Sequence, residues 1–189
     1  METVYLQGGR FRRLLRLFAA ALRPARGRAA EAEEALAVRL LDDYGNAVLR
    51  LAYSYLHNLH DAEEILQDTL MKYLERHPAF QSAGHEKAWL LRVAANLCKN
   101  RLDYNRLRRT DELQDTLAAD GEEDLSFVWE AVKSLPEPYR AAIHLYYYEG
   151  YSTREAARIL GRAESSVRSD LHRGREKLKK ILKEAYDFA

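Results

Sequence analysis

The feature of this sequence that most restricts its fold is the spacing of its apolar residues, which recur every three or four positions over most of the chain. Between positions 32 and 58 this spacing is followed by Ala37, Leu40, Leu41, Tyr44, Val48, Leu51, Ala52 and Tyr55. Such spacing places the apolar side chains on one face of an α-helix. The pattern returns at 61–76 and 86–108, with a predicted loop at 77–86. It resumes at 125, is stopped by LPEP at 135–138 and continues as a further helix up to Gly150. No segment alternates apolar and polar residues as a strand would. The sequence therefore predicts an all-α fold.

An acidic stretch divides this helical pattern in two. Residues 110–125 hold seven acids and no base, whereas 99–109 have five bases against one acid and 162–183 have eight bases against three acids. The formal net charge of +1 therefore conceals two basic surfaces separated by an acidic connector. We predict a basic N-terminal arm at 1–30, a helical domain at 31–109, an acidic linker at 110–124 and a second helical domain at 125–189.

The N-terminal arm raises two questions, the structure of residues 10–28 and the origin of residues 2–8. Residues 10–28 contain seven Arg and no acid, and Arg16 interrupts their apolar run, which favours a basic arm or amphipathic helix over a signal peptide. The segment ETVYLQG at 2–8 resembles a protease site used in expression vectors. The origin of this part of the arm, native or engineered, is left open by the sequence.

Composition argues against a membrane protein and against an enzyme. No apolar run approaches the roughly 18 residues that a membrane span needs, and the single Cys98 can form no intramolecular disulfide. No Gly is followed by Lys, so the phosphate-binding loop of an ATPase is absent. His57 and His60 precede three acids that look like metal ligands, but no His has the Glu three residues before it that di-iron bundles use. We predict a cytoplasmic protein with no catalytic residue, metal or cofactor.

The segment YSTREAARILGRAESSVRSDLHRGREKL at 151–178 predicts two helices joined by a short turn. Ser152 and Glu155 form a capping-box pattern, and Gly161 suits a helix end. The second helix places Val167, Leu171, Gly174, Leu178 and Ile181 on one face. Short polar residues followed by Arg suit a helix whose first half enters the major groove of DNA. The periodicity alone also fits an ordinary bundle with a solvated basic face, so the prediction of DNA binding depends on the added positive charge.

Two stretches resemble the extracytoplasmic-function (ECF) sigma factors, small members of the sigma-70 family that direct bacterial RNA polymerase to promoters. LGRAESSVRSDLHRGREKL at 160–178 resembles the family's last conserved region. LLDDYGNAVLRLAYSYLHNLHDAEEILQDTLMKYLERH at 40–77, followed by KAWLLRVAANLCKNRLDYNR at 87–106, resembles its other conserved region. The resemblance covers about 36–184 and implies two helical domains, like sigma regions 2 and 4. It also implies a sigma factor that binds core polymerase, recognises minus-35 and minus-10 elements and promotes DNA opening.

The resemblance also implies site residues. The residues implied to contact the polymerase clamp helices are Glu64, Gln67 and Asp68, whose spacing puts them on one helix face. An ordinary solvent-exposed helix face explains this spacing as well. The residues implied to capture the nontemplate strand of the minus-10 element are Phe80, Gln81, Ser82, Trp89, Arg92, Asn96, Lys99, Asn100 and Arg101. A Trp at a buried helical position, such as Trp89, is usually a core residue. Contacts to the minus-35 element fall to Arg162, Ser165, Ser166, Arg168, Ser169, His172, Arg173 and Arg175. The implied partners are promoter DNA and core polymerase, through its clamp helices and flap, with an anti-sigma factor left open.

Three positions depart from the family pattern. Ala163 stands where a polar cap is usual before the recognition helix, which costs about 1 kcal/mol. Arg162 stands where an apolar residue is common, and Asp170 where a base is frequent. The spacing of Asp170 predicts an ion pair with Arg173 or Lys177.

Two other classes of protein remain as alternatives. A helix-turn-helix repressor with a helical ligand domain would need a dimerisation surface and would bind DNA without polymerase. A helical adaptor that binds only protein would show no salt-sensitive association with DNA.

Overall fold

The computed structural model describes residues 28–107 and 126–186, which form seven α-helices and one π-helical segment and contain no strand. The helices are α1 (Arg28–Leu56), α2 (Leu59–Arg76), α3 (Ala83–Leu107), α4 (Ser126–Lys133), α5 (Glu137–Ile143), α6 (Thr153–Leu160) and α7 (Glu164–Tyr186), with the π-helical segment at His144–Tyr148. The predicted all-α fold is confirmed. Almost the whole N-terminal arm and the whole acidic linker lie outside the described residues.

Helices α1, α2 and α3 pack on one another around an apolar core. Its fully buried members include Leu40, Leu51, Leu66 and Leu90, which lie on the predicted apolar faces, and Cys98, which was not among the predicted core positions. The break between α1 and α2 is short because Asn58 caps α2: its side chain accepts a hydrogen bond from the Asp61 N–H at 3.0 Å. The apolar spacing therefore predicted three helices in this part of the chain, and three are present.

Helix α3 begins three residues earlier than the sequence analysis placed it. The segment 77–86 was expected to be a loop, but α3 starts at Ala83, and the Ser82 hydroxyl accepts a hydrogen bond from the His85 N–H at 3.3 Å. Ser82 is thus the N-cap of α3. The loop between α2 and α3 is reduced to residues 77–82, and Glu86 lies in the first turn of the helix.

Helices α4 to α7 form the second group, in which α7 lies against α5 and α6. Gly174 is buried where α7 crosses α5, because a Cβ at this position would come within 2.8 Å of Ile143 Cδ1 and 3.3 Å of Tyr139 Cβ. The single helix expected up to Gly150 is wrong in its second half, where the backbone widens into the π-helical segment and the Glu149 N–H bonds to the His144 carbonyl at 3.1 Å. Such a widening is common near functional sites.

The two groups pack against each other through charged side chains. Glu149, whose side chain is only 3% exposed, accepts hydrogen bonds from Lys87 Nζ at 2.7 Å and Arg50 Nη2 at 3.2 Å. Burial opposes its ionisation, but these two bonds hold the pKa of Glu149 below its usual range. Lys99 Nζ also crosses the interface and donates to the Leu160 carbonyl at 2.6 Å. The first group therefore supplies three cations to the second.

Arg140 on α5 completes this interface. Its guanidinium donates to the carbonyls of Ser54 at 2.9 Å and Tyr55 at 3.3 Å in the last turn of α1, and to those of Lys133 at 2.9 Å and Leu135 at 2.6 Å at the end of α4. The last carbonyls of a helix have no partner within the helix, and a cation there also interacts favourably with the helix dipole. One side chain thus satisfies the ends of two helices from the two groups.

We expect the stability of the chain to fall as the pH is lowered from about 6.5 to about 4. His144 is 6% exposed, and burial lowers its pKa to about 4, so it is neutral at pH 7 although its Nε2 lies 3.7 Å from Glu149 Oε1. Burial, with Arg140 and Lys133 nearby, lowers the pKa of His57 to about 4 as well. In the unfolded chain both histidines bind a proton near pH 6.5, whereas in the folded chain they do so only near pH 4. Their contribution to the free energy of unfolding is therefore fully present above pH 6.5 and is lost as the pH falls towards 4.

Chemical unfolding at pH 7 and pH 5 measures this effect. His144→Phe, which keeps a ring stacked on Tyr148, should lose less stability between the two pH values than the wild-type chain does. His85→Phe, at an exposed position, is the matched control and should keep the wild-type slope. Equal slopes for all three proteins would contradict the assignment to His144.

Candidate nucleic-acid interface

Helices α6 and α7 form a helix-turn-helix with a three-residue turn. The capping box at the start of α6 is present in full: the Ser152 hydroxyl accepts from the Glu155 N–H, and the Glu155 carboxylate accepts from the Ser152 N–H. Gly161 ends α6 with a φ of +63°, a left-handed conformation that costs glycine nothing. Both features were predicted from the sequence, and they fix where α6 begins and ends.

The first half of α7 presents a polar and basic surface. Ser165, Arg168, His172, Arg173 and Arg175 are exposed, and Arg162, Ser166 and Ser169 are half-buried. Val167 and Leu171 are buried on the opposite side of α7. All eight residues predicted for the minus-35 element therefore lie in the turn or on the parts of α7 that retain access to solvent.

The uncapped start of α7 is supported by a glutamate. Ala163 offers only its carbonyl, which accepts from the N–H groups of Ser166 at 3.0 Å and Val167 at 3.2 Å. Glu164 follows in the first turn, where a negative charge complements the helix dipole, and it accepts from Thr153 at 2.8 Å and Arg168 at 2.7 Å. The lost cap is thus offset in part by contacts that tie α7 to the start of α6.

The pairing predicted for Asp170 is wrong. Its carboxylate is buried and lies 2.5 Å from Arg162 Nη1, whereas Arg173 and Lys177 are exposed. The contact has the distance of an ion pair but not the alignment of a hydrogen bond, because Asp170 Oδ2 has no hydrogen-bond partner. Arg162 and Asp170 are two of the three departures from the family pattern, and they compensate each other across the turn.

The α2–α3 loop and α3 form the second basic region. Phe80 is half-buried, and its ring centroid lies 6.0 Å from those of Tyr73 and Trp89, which are themselves 5.7 Å apart in an edge-to-face arrangement. Gln81, Ser82, Arg92, Asn96 and Asn100 are exposed. Trp89 packs against the core and contacts Phe80, so it supports the Phe80 ring from below the loop.

Beneath the loop lies a carboxylate that sequence reasoning missed. Glu86 is 8% exposed and accepts two hydrogen bonds from Arg39, at 2.8 and 3.0 Å, one from the Tyr44 hydroxyl at 2.8 Å and one from the Tyr73 hydroxyl. The bonds from Arg39 are the main reason why the pKa of Glu86 falls to about 2. The sequence did contain a sign that Glu86 lies in a helix rather than a loop. Ser is a common N-cap residue, and Ser82 stands just before the apolar run of α3.

Two of the cations predicted to bind the minus-10 element are engaged elsewhere. Lys99 donates to the Leu160 carbonyl, as described above. Arg101 donates to Asp61 at 2.8 Å and to Glu64 at 2.7 Å, so a residue predicted to bind DNA is paired with one predicted to bind polymerase. Gln67 is half-buried and Asp68 exposed on the same helix as Glu64.

Within 28–107 and 126–186 no group of three or more His, Cys, Asp or Glu side chains is placed to hold a metal ion. The ligand-like run around His57 and His60 therefore does not converge on one point. In the same two ranges no helix is long and apolar enough to cross a membrane.

Comparison with protein families decides the identity. The family model for sigma-70 region 2 matches residues 40–109, and the model for sigma-70 region 4 matches residues 128–178. The chain is 31% identical over 167 residues to the ECF RNA polymerase sigma factor SigL of Mycobacterium tuberculosis, covering 82% of this chain and 94% of SigL. The chain belongs to the ECF sigma factors. Helices α1–α3 are its region 2 and helices α4–α7 its region 4.

Other relatives agree. SigW of Bacillus subtilis is 28% identical, with 77% of this chain and 88% of SigW covered. SigE of Mycolicibacterium smegmatis is 32% identical over 76% of this chain, which spans 60% of the length of that longer relative.

Solved structures show the same fold. The sigma factor RpoE of Bartonella quintana, in a complex with the anti-sigma factor NepR, gives a TM-score of 0.63 at 28% identity and covers 77% of this chain and 94% of that one. CnrH, solved with the cytosolic domain of CnrY, gives a TM-score of 0.55 at 21% identity and covers 92% of this chain and 97% of that one.

Proposed function

We propose that this sigma factor binds core RNA polymerase in the cytoplasm and directs it to promoters, with region 4 on the minus-35 element and region 2 on the minus-10 element. The observation that carries the proposal is the presence of two exposed polar and basic faces on two helical groups, one on α7 and one on α3 with its preceding loop. We place the domain limits at 31–109 and 125–189, with the arm at 1–30 and the linker at 110–124. The chain has no catalytic role of its own, and polymerase carries out the chemistry.

Helix α7 is suited to the major groove. Arg168, His172 and Arg173 are exposed along its first half, where Arg can donate two hydrogen bonds to a guanine. Ser165 and Ser169 offer hydroxyls to base edges or phosphates. Because the local charge is strongly positive, binding here should weaken steeply as salt is raised.

Region 2 is suited to an unstacked single strand. Phe80 offers an aromatic face, and Asn96 an amide that can bond to a base edge, while Arg92 and Asn100 lie exposed on the same helix for the backbone. Lost stacking of about 1.4 kcal/mol per step is offset by capture of these bases and by contacts with polymerase. Lys99 can join this surface only after it has left the Leu160 carbonyl, so this hydrogen bond between the two domains breaks when promoter DNA is bound.

The polymerase contact is proposed for α2. Glu64, Gln67 and Asp68 lie in succession along this helix and all have access to solvent. Arg101 neutralises part of the charge of Glu64 in the free chain, which leaves Asp68 as the more exposed carboxylate. An anti-sigma factor is a further proposed partner, because RpoE was solved bound to one.

The connector allows both domains to reach their elements at once. A fully extended chain of about 15 residues spans about 50 Å, which corresponds to about fifteen base pairs of axial rise. Joining two weak DNA-binding modules raises the effective concentration of each for its element. Its acidic residues suit a basic channel of polymerase, and a solubilising role explains them equally well.

Transcription from a template pool tests the proposal. The purified chain is mixed with bacterial core polymerase and a pool of promoter fragments, and the start sites are sequenced. Initiation at defined sites that requires both proteins is expected. DNA binding without polymerase would favour the repressor, and association with neither polymerase nor DNA would favour the adaptor.

The role of Asn96 can be tested on a selected promoter. Asn96→Ala should reduce initiation about tenfold on duplex DNA, the size expected for one lost base contact. It should reduce initiation less on a template already opened by mismatches at the minus-10 element, where the stacking has been removed beforehand. Asn105→Ala, exposed near the end of α3, is the matched control. Equal losses on both templates would contradict a role in opening.

A further inference from the structure

The carboxylate of Glu86 is fully committed within the protein. An ionised carboxylate has about four acceptor sites, and here they meet two N–H groups of Arg39 and the hydroxyls of Tyr44 and Tyr73. A group in this state is not available to bond with a base. Its effect on DNA must pass through the side chains that it holds.

One of those side chains supports the capture surface directly. The Tyr73 hydroxyl donates to Glu86, and the Tyr73 ring contacts both Phe80 and Trp89. Trp89 lies three residues after Glu86 on α3, so the same turn of helix carries the carboxylate and one wall of the aromatic cluster. The chain of contacts therefore runs from Glu86 to Tyr73 to Phe80 within two layers of side chains.

The surroundings leave room for the loop to move if this support is lost. A cavity of about 380 Å³ opens beside the loop and is lined by members of the network, Arg39, Tyr44, Tyr73 and Glu86, and by Phe80, Gln81 and Ser82. The side chains of Gln81 and Ser82 are exposed, and only Phe80 among these three packs against the core. The position of Phe80 thus depends on Tyr73 and Trp89.

We propose that Glu86 is a positioning residue for the α2–α3 loop: through Tyr73 it holds Phe80 in the orientation that receives an unstacked base of the nontemplate strand. This inference rests on the function proposed above for region 2. Arg39, half-exposed on α1, balances the charge of Glu86, and Tyr44 ties the same carboxylate to the start of α3, where its hydroxyl lies 3.5 Å from the Ala83 carbonyl.

The preference for one base over the others in the minus-10 element shows whether Glu86 positions Phe80 or only stabilises the fold. Holoenzyme made with each variant transcribes a template pool randomised across the minus-10 element, and sequencing of the transcripts gives the preference for each base. Glu86→Gln should reduce the preference for the captured base about tenfold, because the loss of one base contact typically costs about 1–3 kcal/mol. Val48→Ala, a cavity variant in the core of the same domain, should lower total transcription without changing the ratio between bases.

Two tyrosine variants test the same proposal even if Glu86→Gln does not fold. Tyr73→Phe and Tyr44→Phe each remove one hydroxyl from the carboxylate, but only the Tyr73 ring contacts Phe80. Tyr73→Phe should therefore reduce discrimination more than Tyr44→Phe does. Unchanged discrimination in Glu86→Gln and Tyr73→Phe, beside a selective wild type, overturns this inference alone. A wild-type holoenzyme that selects no minus-10 sequence overturns the proposed function and this inference together.

Discussion

Arg140→Ala should destabilise the chain by about 3 kcal/mol and separate its two domains. The substitution removes four hydrogen bonds to backbone carbonyls, two at the end of α1 and two at the end of α4. A hydrogen bond to a charged donor contributes about 1.5–3 kcal/mol, and water will replace part of what is lost because Arg140 is only half-buried. Arg140→Lys should recover only part of the stability, since an ammonium group cannot span four carbonyls as the planar guanidinium does.

Two measurements check this prediction. Chemical unfolding at pH 7 gives the stability, and energy transfer between dyes on Glu75→Cys and Glu176→Cys reports the distance between α2 and α7. The transfer efficiency should fall in Arg140→Ala and less in Arg140→Lys. Arg158→Ala, at an exposed position of α6, is the control and should stay within about 0.5 kcal/mol of the wild type. A stable Arg140→Ala chain with wild-type transfer efficiency would show that the four bonds contribute little.

Gly174→Leu should have an effect of similar size, confined to region 4. A Cβ alone at this position would meet Ile143 Cδ1 at 2.8 Å and Tyr139 Cβ at 3.3 Å. The far end of Ile143 can rotate away, so Gly174→Ala should be nearly neutral after its gain in helix propensity of about 1 kcal/mol. Leucine adds three further carbons where α5 and α7 are in contact, and overpacking of this kind typically costs about 1–3 kcal/mol.

The consequence of Gly174→Leu for function can be measured separately from stability. Because α7 would be displaced from α5, binding of the minus-35 element by holoenzyme should fall at least tenfold at a temperature where region 4 remains folded. Glu176→Leu introduces the same side chain at an exposed position two residues later and should leave stability unchanged. Equal stability of the two leucine variants would mean that α5 and α7 adjust without strain.

The local parts of this structure could be predicted from the sequence, because neighbours three or four residues apart decide them. The apolar stripes, the capping box at Ser152 and the glycine at the end of α6 are signals of this kind. Gly174 was placed on the buried face of α7 for the same reason, and it is buried.

The contacts that join distant segments could not be predicted in this way. Arg39 and Glu86 are 47 residues apart, Arg50 and Glu149 are 99 apart, and Arg140 reaches a carbonyl 86 residues away. Nothing in the spacing around Arg140 indicates that its partners are helix ends rather than acids. The pairing of Asp170 was mistaken because the helix spacing was considered without the turn, which brings Arg162 to the same carboxylate.

The burial of Cys98 limits how this sigma factor can respond to oxidants. Its side chain is 0% exposed, and burial raises the pKa of the thiol to about 12, which keeps it protonated at pH 7. Peroxides and disulfides react with thiolates, and the sequence has no second cysteine. A response to oxidants that uses cysteine chemistry would therefore have to act through a different molecule, one that holds or releases this chain, rather than through Cys98.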